Sequence, residues 1–262
     1  MASEYKMDHP RRGKAVIINN EEFPHSNLRP IKGSQNSVEC LTKGLQKLRF
    51  QVETHDDLSK AEIMDRLQKV ASEDHSEADC LVVTVMSHGS EYGICGTDYG
   101  YNDDYTHVHI HDIVDLFKAN SCRSLAGKPK IFIINACRGN IMDSGVAVKD
   151  NLSCFFSRKD EESPRIPTPS DILIFYSCFK GHVSIANDKE GSAFINCLGK
   201  VLYEYGEFLP LSDLLLLVKE RVAADISTVN IRGETYLLVD MPTVSTDTLR
   251  KKICFMKRKL VL

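Results

Sequence analysis

Short apolar runs alternate with amphipathic stretches along this chain. Residues 14–19 (Lys-Ala-Val-Ile-Ile-Asn), 80–86 (Cys-Leu-Val-Val-Thr-Val-Met), 131–134 (Ile-Phe-Ile-Ile) and 172–178 (Ile-Leu-Ile-Phe-Tyr-Ser-Cys) carry apolar side chains without a two-residue alternation, the pattern of parallel strands covered on both faces. Periodicity alone leaves a buried helical turn open for 131–134, and Pro129 before it and Gly139 after it favour the strand. Residues 50–55 alternate as a half-buried strand. Between these runs, Val38, Leu41, Leu45 and Leu48 predict a helix over 34–48, with Ser34 and Ser37 able to cap it. Ser59 and Glu62 form a capping-box pattern opening a helix over 60–71, with Ile63, Leu67 and Val70 on its inner face. Further helices are predicted over 110–118, where Ile113, Val114 and Phe117 are buried, and over 192–205 and 211–224. The stretch 91–105 reads as loop, and 234–240 and 243–246 as final strand pieces separated by Pro242. Strand and helix in alternation imply an α/β fold, a mostly parallel sheet with right-handed crossovers.

Composition narrows the function classes. With 262 residues, 42% hydrophobic and 26% charged, the chain has material for one large domain. A net charge of −3 gives no basic field, which argues against nucleic acid and anionic membranes as partners. The polar start through Arg12 is neither a signal nor a transit peptide, and no apolar run approaches the ~20 residues of a membrane helix. The nine cysteines are odd in number and contain no Cys-x-x-Cys pair, so reduced thiols in a cytoplasmic setting fit better than disulfides or zinc. His107, His109 and His111 alternate, but no second cluster at a recognisable spacing completes a metal site, and no metal or cofactor is expected. The tail carries Lys251, Lys252, Lys257, Arg258 and Lys259, which read as a solvated end.

Two strands end on side chains with chemistry. The run 80–86 leads into Ser87-His88-Gly89, and 131–134 leads into Asn135-Ala136-Cys137. Ligands in open α/β sheets bind beyond the carboxyl ends of strands, which makes Cys137 and His88 candidates for a nucleophile and its general base. A thiol attacks as thiolate, and a neighbouring imidazole is the common route to one. The amides of Gly89 and Cys137 could face a developing oxyanion. Taken by itself, Cys137 also fits a buried structural cysteine.

The stretch Asn135-Ala136-Cys137-Arg138-Gly139, whose Cys137 lies 49 positions after His88, is similar to the caspase signature of a Gln-Ala-Cys motif with its histidine about 50 residues upstream. Tyr5-Lys6-Met7-Asp8, Val16-Ile17-Ile18-Asn19-Asn20, Asp74-His75-Ser76, Met86-Ser87-His88-Gly89 and the run from Cys122 to Lys130 also resemble the large subunit of executioner caspases. The resemblance implies a three-layer α/β/α fold with a mostly parallel six-stranded sheet. It implies a short N-terminal peptide over 1–13 without an adaptor prodomain, a large-subunit region over 14–142, an acidic and proline-rich intersubunit linker over 143–171, and a small-subunit region over 172–262. It also implies pairing of two such units through the last strand. Asp143, Asp150 and Asp160 are candidate processing sites in the linker, although acidic loops are as often simply solvated. The polar run from Pro242 to Asp247 makes a stable homodimer less secure than in the family and a mixed dimer plausible.

The resemblance breaks down at the pocket that grips the substrate's P1 aspartate, which caspases build from two arginines and the motif glutamine. Here Ile31 stands where the first arginine is expected, Ala186 (within Ser184-Ile185-Ala186-Asn187) where the second is, and Asn135 replaces the glutamine. Arg29 and Lys32 are the nearby substitutes. Val183 and Ile185 stand where the family has aromatic walls. A carboxylate buried without its partner loses on the order of 3–5 kcal/mol, so aspartate-directed cleavage is expected to be strongly impaired. Three readings follow: a decoy that regulates an active caspase by heterodimerisation, an active endopeptidase with a small or uncharged P1 preference, or a binding protein in which Cys137 and His88 are idle.

Overall fold

The computed structural model describes residues 3–143, 167–225, 227–231 and 234–256. In chain order the strands are β1 (Lys14–Asn19), β2 (Gln51–Asp56), β3 (Leu81–Met86), β4 (Gly89–Ser90), β5 (Gly93–Ile94), β6 (Lys130–Asn135), β7 (Ile172–Tyr176), β8 (Ala186–Asn187), β9 (Gly191–Ser192), β10 (Ser227–Ile231), β11 (Glu234–Leu238) and β12 (Thr243–Asp247). The helices are α1 (Ser34–Lys47), α2 (Lys60–Ala71), α3 (Ile110–Asp115), α4 (Ala193–Tyr205) and α5 (Leu211–Ala223).

Six strands form the main sheet in the order β12-β7-β6-β3-β1-β2, parallel throughout except for β12, which runs antiparallel to β7 at the edge. Successive side chains of each inner strand go to opposite faces. Ile17, Val82, Ile131, Ile133 and Phe175 pack with α1, α4 and α5, whereas Ile18, Val83, Phe132, Ile134 and Ile174 pack with α2 and α3. This accounts for the unbroken apolar runs of β1, β3, β6 and β7: both faces are core, and the expected three-layer α/β/α architecture is the one found. From β1 the chain moves outward to β2, then crosses back to β3 and on to β6 and β7, so the strand order reverses between β1 and β3. In sheets of this kind ligands usually bind between the loops that leave the carboxyl ends of two such strands.

Several local expectations need correction. Ser34 and Ser37 do not cap α1: its N-cap is Gly33 in a left-handed conformation at φ 77°, and both hydroxyls bond elsewhere. Ser34 Oγ donates to Glu21 Oε2 at 2.7 Å, and Ser37 Oγ accepts the Ser192 N–H at 2.9 Å, tying α1 to the start of α4. The helix expected over 110–118 stops at Asp115, because the Phe117 N–H bonds Val114 O in a tightened final turn. The strand expected over 234–240 is β11, and it belongs to a separate antiparallel pair with β10, a strand the apolar pattern did not single out. The 91–105 stretch is not all loop, since Gly93–Ile94 pairs with Gly89–Ser90. The Ser59–Glu62 capping box is present in both directions.

A buried network joins the chain's beginning to its second half. Asp171, fully buried, accepts from Tyr5 Oη at 2.6 Å and from Arg250 Nε and a terminal guanidinium nitrogen at 2.8 and 3.0 Å. Among the described residues, no helix is long and apolar enough to cross a membrane.

Candidate active site

Parallel pairing of β3 with β6 sets Met86 opposite Asn135, so His88 and Cys137 each stand two residues past a matched pair. The ladder continues one step further, with the Ser87 N–H on Asn135 O at 3.1 Å. Gly89 then passes so close to the nucleophile strand that a Cβ would lie 2.9 Å from Cys137 O and 2.7 Å from Gly93 O. Only glycine allows that approach.

His88 is held by the loop after β1. Its Nε2 lies 2.7 Å from Arg29 O, and Phe23 meets the ring edge-on at a centroid distance of 4.8 Å. A carbonyl only accepts, so Nε2 carries the proton and Nδ1 is left with the lone pair of a base. Burial pulls the His88 pKa below its ordinary value, with the Arg29 carbonyl opposing, and the ring is neutral at neutral pH.

Cys137 is half-buried, and Ser184 engages its sulfur. The Ser184 N–H donates to Sγ at 3.4 Å, and the thiol donates to Ser184 O at 3.8 Å. Burial raises the thiol pKa, the Ser184 N–H opposes the rise, and Asp240 adds to it. Both members of the candidate pair are therefore uncharged.

Several elements that carry the expected P1-pocket positions meet around Asn135. Asn135 Oδ1, at the end of β6, accepts from Ser192 Oγ at 2.9 Å and from Ser184 Oγ at 3.4 Å. Ser192 faces Ala186 across the β8–β9 pair, whose other couple is Asn187 and Gly191. Gly33, two residues after Ile31, packs against that turn, where a Cβ would meet Asn187 O at 3.0 Å. The side chains of Arg29 and Lys32 are exposed, and among the described residues no cationic side chain bonds Asn135, Ser184 or Ser192. Val183 and Ile185 are partly exposed. Arg138, next to Cys137, turns away and stacks on Tyr176 at 3.7 Å from guanidinium carbon to ring centroid.

The other expected sites separate. Asp143 is exposed and its carbonyl accepts the Val239 N–H at 3.0 Å, while Asp150 and Asp160 lie outside the described residues. The three alternating histidines diverge: His107 meets Ser90 Oγ at 3.0 Å, His109 meets Tyr92 O at 2.7 Å, and His111 lies 3.4 Å from Asp115.

Two participants, Ser192 and Asp240, were missed from the sequence, and Arg29 was named there for a different role, as a substitute cation. Arg29 acts through its carbonyl, which no side-chain pattern reveals. Ser192 is a helix cap whose hydroxyl also closes on Asn135. Asp240 is 6% exposed and accepts the Ile185 N–H at 2.9 Å. A lone acid inside the apolar run 237–241 was the available signal for it.

Comparison with known proteins agrees with this geometry. A family model for the caspase domain matches residues 12–254. Caspase-3 of Xenopus laevis is 36% identical over 242 residues, which cover 92% of this chain and 82% of that protein. Caspase drICE of Drosophila melanogaster is 37% identical over 87% of this chain and 65% of its own length. The crystal structure of caspase-1 from Spodoptera frugiperda superposes with a TM-score of 0.85 at 32% identity, covering 100% of this chain and 96% of that one. A strand-end cysteine and histidine on a sheet of this order, within a match that spans nearly all the sequence, mean that the chain belongs to the caspase family of cysteine-type endopeptidases.

Proposed function

We propose that this chain is a cytoplasmic caspase-family protein of the apoptotic pathway that keeps the thiol machinery but has lost the grip on a P1 aspartate, and that it regulates an active caspase by heterodimerising with it. The observation carrying this reading is the pocket around Asn135, where two serine hydroxyls close on the amide and the flanking positions are Ile31 and Ala186 rather than arginines. An aspartate entering there would be desolvated without a cation, at a cost on the order of 3–5 kcal/mol. In this reading 14–142 is the large-subunit region, 143–171 the linker with Asp143, Asp150 and Asp160 open to another caspase, and 172–262 the small-subunit region. The polar free edge of β12 is the pairing edge, for an active caspase or for a second copy. Co-expression with executioner caspases of the same organism tests it: a co-purifying complex and a changed partner rate are expected, and both survive Cys137→Ala in this chain. Absence of complex and of rate change with every such caspase refutes it.

The retention of both Cys137 and His88 at matched strand ends favours a second reading, an active endopeptidase with a small or uncharged P1 residue. In that chemistry the Cys137 sulfur attacks the scissile carbonyl carbon, and His88 Nδ1 takes the thiol proton and returns it to the leaving amine. The Gly89 and Cys137 amides hold the oxyanion. A peptide library cleaved by wild type but not by Cys137→Ala would establish it, and equal, negligible turnover by both excludes it.

A further inference from the structure

Asp240 stands between β11 and β12 and is almost wholly buried, although its neighbours in sequence are apolar. A buried carboxylate needs a partner, and the one it has is backbone: Oδ2 accepts the Ile185 N–H at 2.9 Å. The preceding residue, Ser184, lays its own peptide on the candidate nucleophile, donating its N–H to Cys137 Sγ at 3.4 Å and accepting from the thiol at 3.8 Å. Carboxylate, Ile185 amide, Ser184 peptide and sulfur therefore form one continuous chain of contacts. The titratable groups facing Asp240 are His182, from the same loop as Ser184, and the thiols of Cys137 and Cys178, at the ends of β6 and β7. The nearby guanidinium of Arg138 is committed to the Tyr176 ring and to Cys178 O.

We propose that Asp240 is a positioning residue for Cys137: its carboxylate pins the Ser184–Ile185 peptide against the sulfur and, when ionised, opposes formation of the thiolate. Burial pushes the Asp240 carboxyl up to about 7, with the Ile185 N–H and His182 opposing. Its charge therefore appears across neutral pH. As pH rises through that range, the new negative charge moves ionisation of Cys137 to higher pH, and the sulfur gains reactivity more slowly than an isolated thiol would. The inference rests on reading Cys137 as the reactive thiol, but it concerns the sulfur itself and holds whether or not the chain turns over peptides.

Iodoacetamide alkylation of the full chain tests it. Trypsin releases the peptide 131–138, in which Cys137 is the single cysteine, so mass spectrometry follows this thiol apart from the others. In wild type the rate should rise in two inflections, one near neutrality from Asp240 and one at higher pH from the thiol. Asp240→Asn keeps an acceptor for the Ile185 N–H and removes the charge. It should abolish the neutral inflection and speed alkylation roughly three- to tenfold at a fixed mildly alkaline pH, the effect of moving a thiol pKa by about half to one unit. Asp240→Ala removes the acceptor as well, and hydrogen exchange at the Ile185 amide should then accelerate, which Asp240→Asn should not cause. A single-step wild-type profile, or an Asp240→Asn curve that superimposes on wild type, overturns the electrostatic role. Unchanged Ile185 exchange in Asp240→Ala overturns the positioning role. Should the alanine variant fail to fold, wild type reads the same contact: the Ile185 amide, corrected for intrinsic exchange, should gain protection as the carboxylate ionises through neutral pH while that of Asp240→Asn stays level, and a wild-type protection that also stays level refutes it.

Discussion

Returning cations to the pocket should restore aspartate cleavage. In the triple variant Ile31→Arg, Asn135→Gln, Ala186→Arg, the arginine at 186 starts opposite Ser192, whose hydroxyl lies 2.9 Å from the present Asn135 Oδ1. The arginine at 31 starts two residues before Gly33, which touches the turn following 186 from the other side. Two guanidinium groups then flank the amide of residue 135, and each hydrogen bond to a charged partner contributes about 1.5–3 kcal/mol. Two of them supply about 3–6 kcal/mol, or roughly 10²- to 10⁴-fold in kcat/KM. The assay is hydrolysis of a fluorogenic tetrapeptide ending in aspartate, beside one ending in alanine, for wild type, each single variant and the triple variant. The aspartate reporter should gain by that factor in the triple variant and by far less in each single variant, because one arginine alone leaves the carboxylate half-satisfied. A folded triple variant whose Cys137 alkylates at the wild-type rate but which gains less than about tenfold on the aspartate reporter refutes the pocket argument. So does brisk hydrolysis of that reporter by wild type.

The remaining predictions concern stability. Asp240→Asn should raise the melting temperature at pH above neutrality and lose that advantage towards pH 4. The folded carboxyl holds its proton up to about 7 rather than the ordinary 3.8, so its destabilising effect grows as pH climbs between those values, reaching at most about 4 kcal/mol. A melting curve for Asp240→Asn that tracks wild type at every pH removes the buried charge from the account. Asp171→Ala should cost about 3 kcal/mol in urea unfolding at neutral pH, towards the lower end for a broken buried pair because the Arg250 side chain keeps 38% exposure. Burial would raise the Asp171 carboxyl, but Arg250, Tyr5 and Ser170 bonds outweigh it and lower the pKa. Its stabilisation is therefore complete above the unfolded value and disappears as pH falls through the folded one, so wild type and Asp171→Ala should converge in strong acid. Gly89→Ala places a methyl 2.7–2.9 Å from two carbonyl oxygens and should cost about 1–3 kcal/mol; an unchanged urea midpoint would mean that β4 can move aside.

What the sequence revealed followed from what is local. Four apolar runs named four strands of the parallel sheet because those strands are buried on both faces, and the positions of His88 and Cys137 just after two of them placed both at one end of it. The expected pocket positions Ile31, Asn135 and Ala186 came from the family motif alone, since whether they share a pocket depends on α1, β6 and the β8–β9 turn meeting in three dimensions. Ser34 and Ser37 misled because a serine before a helix resembles a cap, whereas tertiary partners at Glu21 and Ser192 claimed both hydroxyls. β10 escaped notice because Ser-Thr-Val-Asn-Ile is short and half polar, and its partner β11 reads as a piece of the main sheet. Asp240 was hidden by a different cause: an isolated acid in an apolar run looks like a strand end facing water, and only the fold turns it inward.

The neighbours β6 and β7 lie side by side, register-matched from Lys130 with Ile172 to Ile134 with Tyr176, although the chain between them runs through the whole 136–171 stretch. A protease nick in that connection would therefore leave the β6–β7 pairing in place; it would turn one polypeptide into two fragments whose shared boundary is the middle of the hydrophobic interior. Denaturation of the nicked form would acquire a dependence on protein concentration that the uncut chain lacks, and diluting it far enough should let the fragments drift apart at temperatures the intact molecule survives.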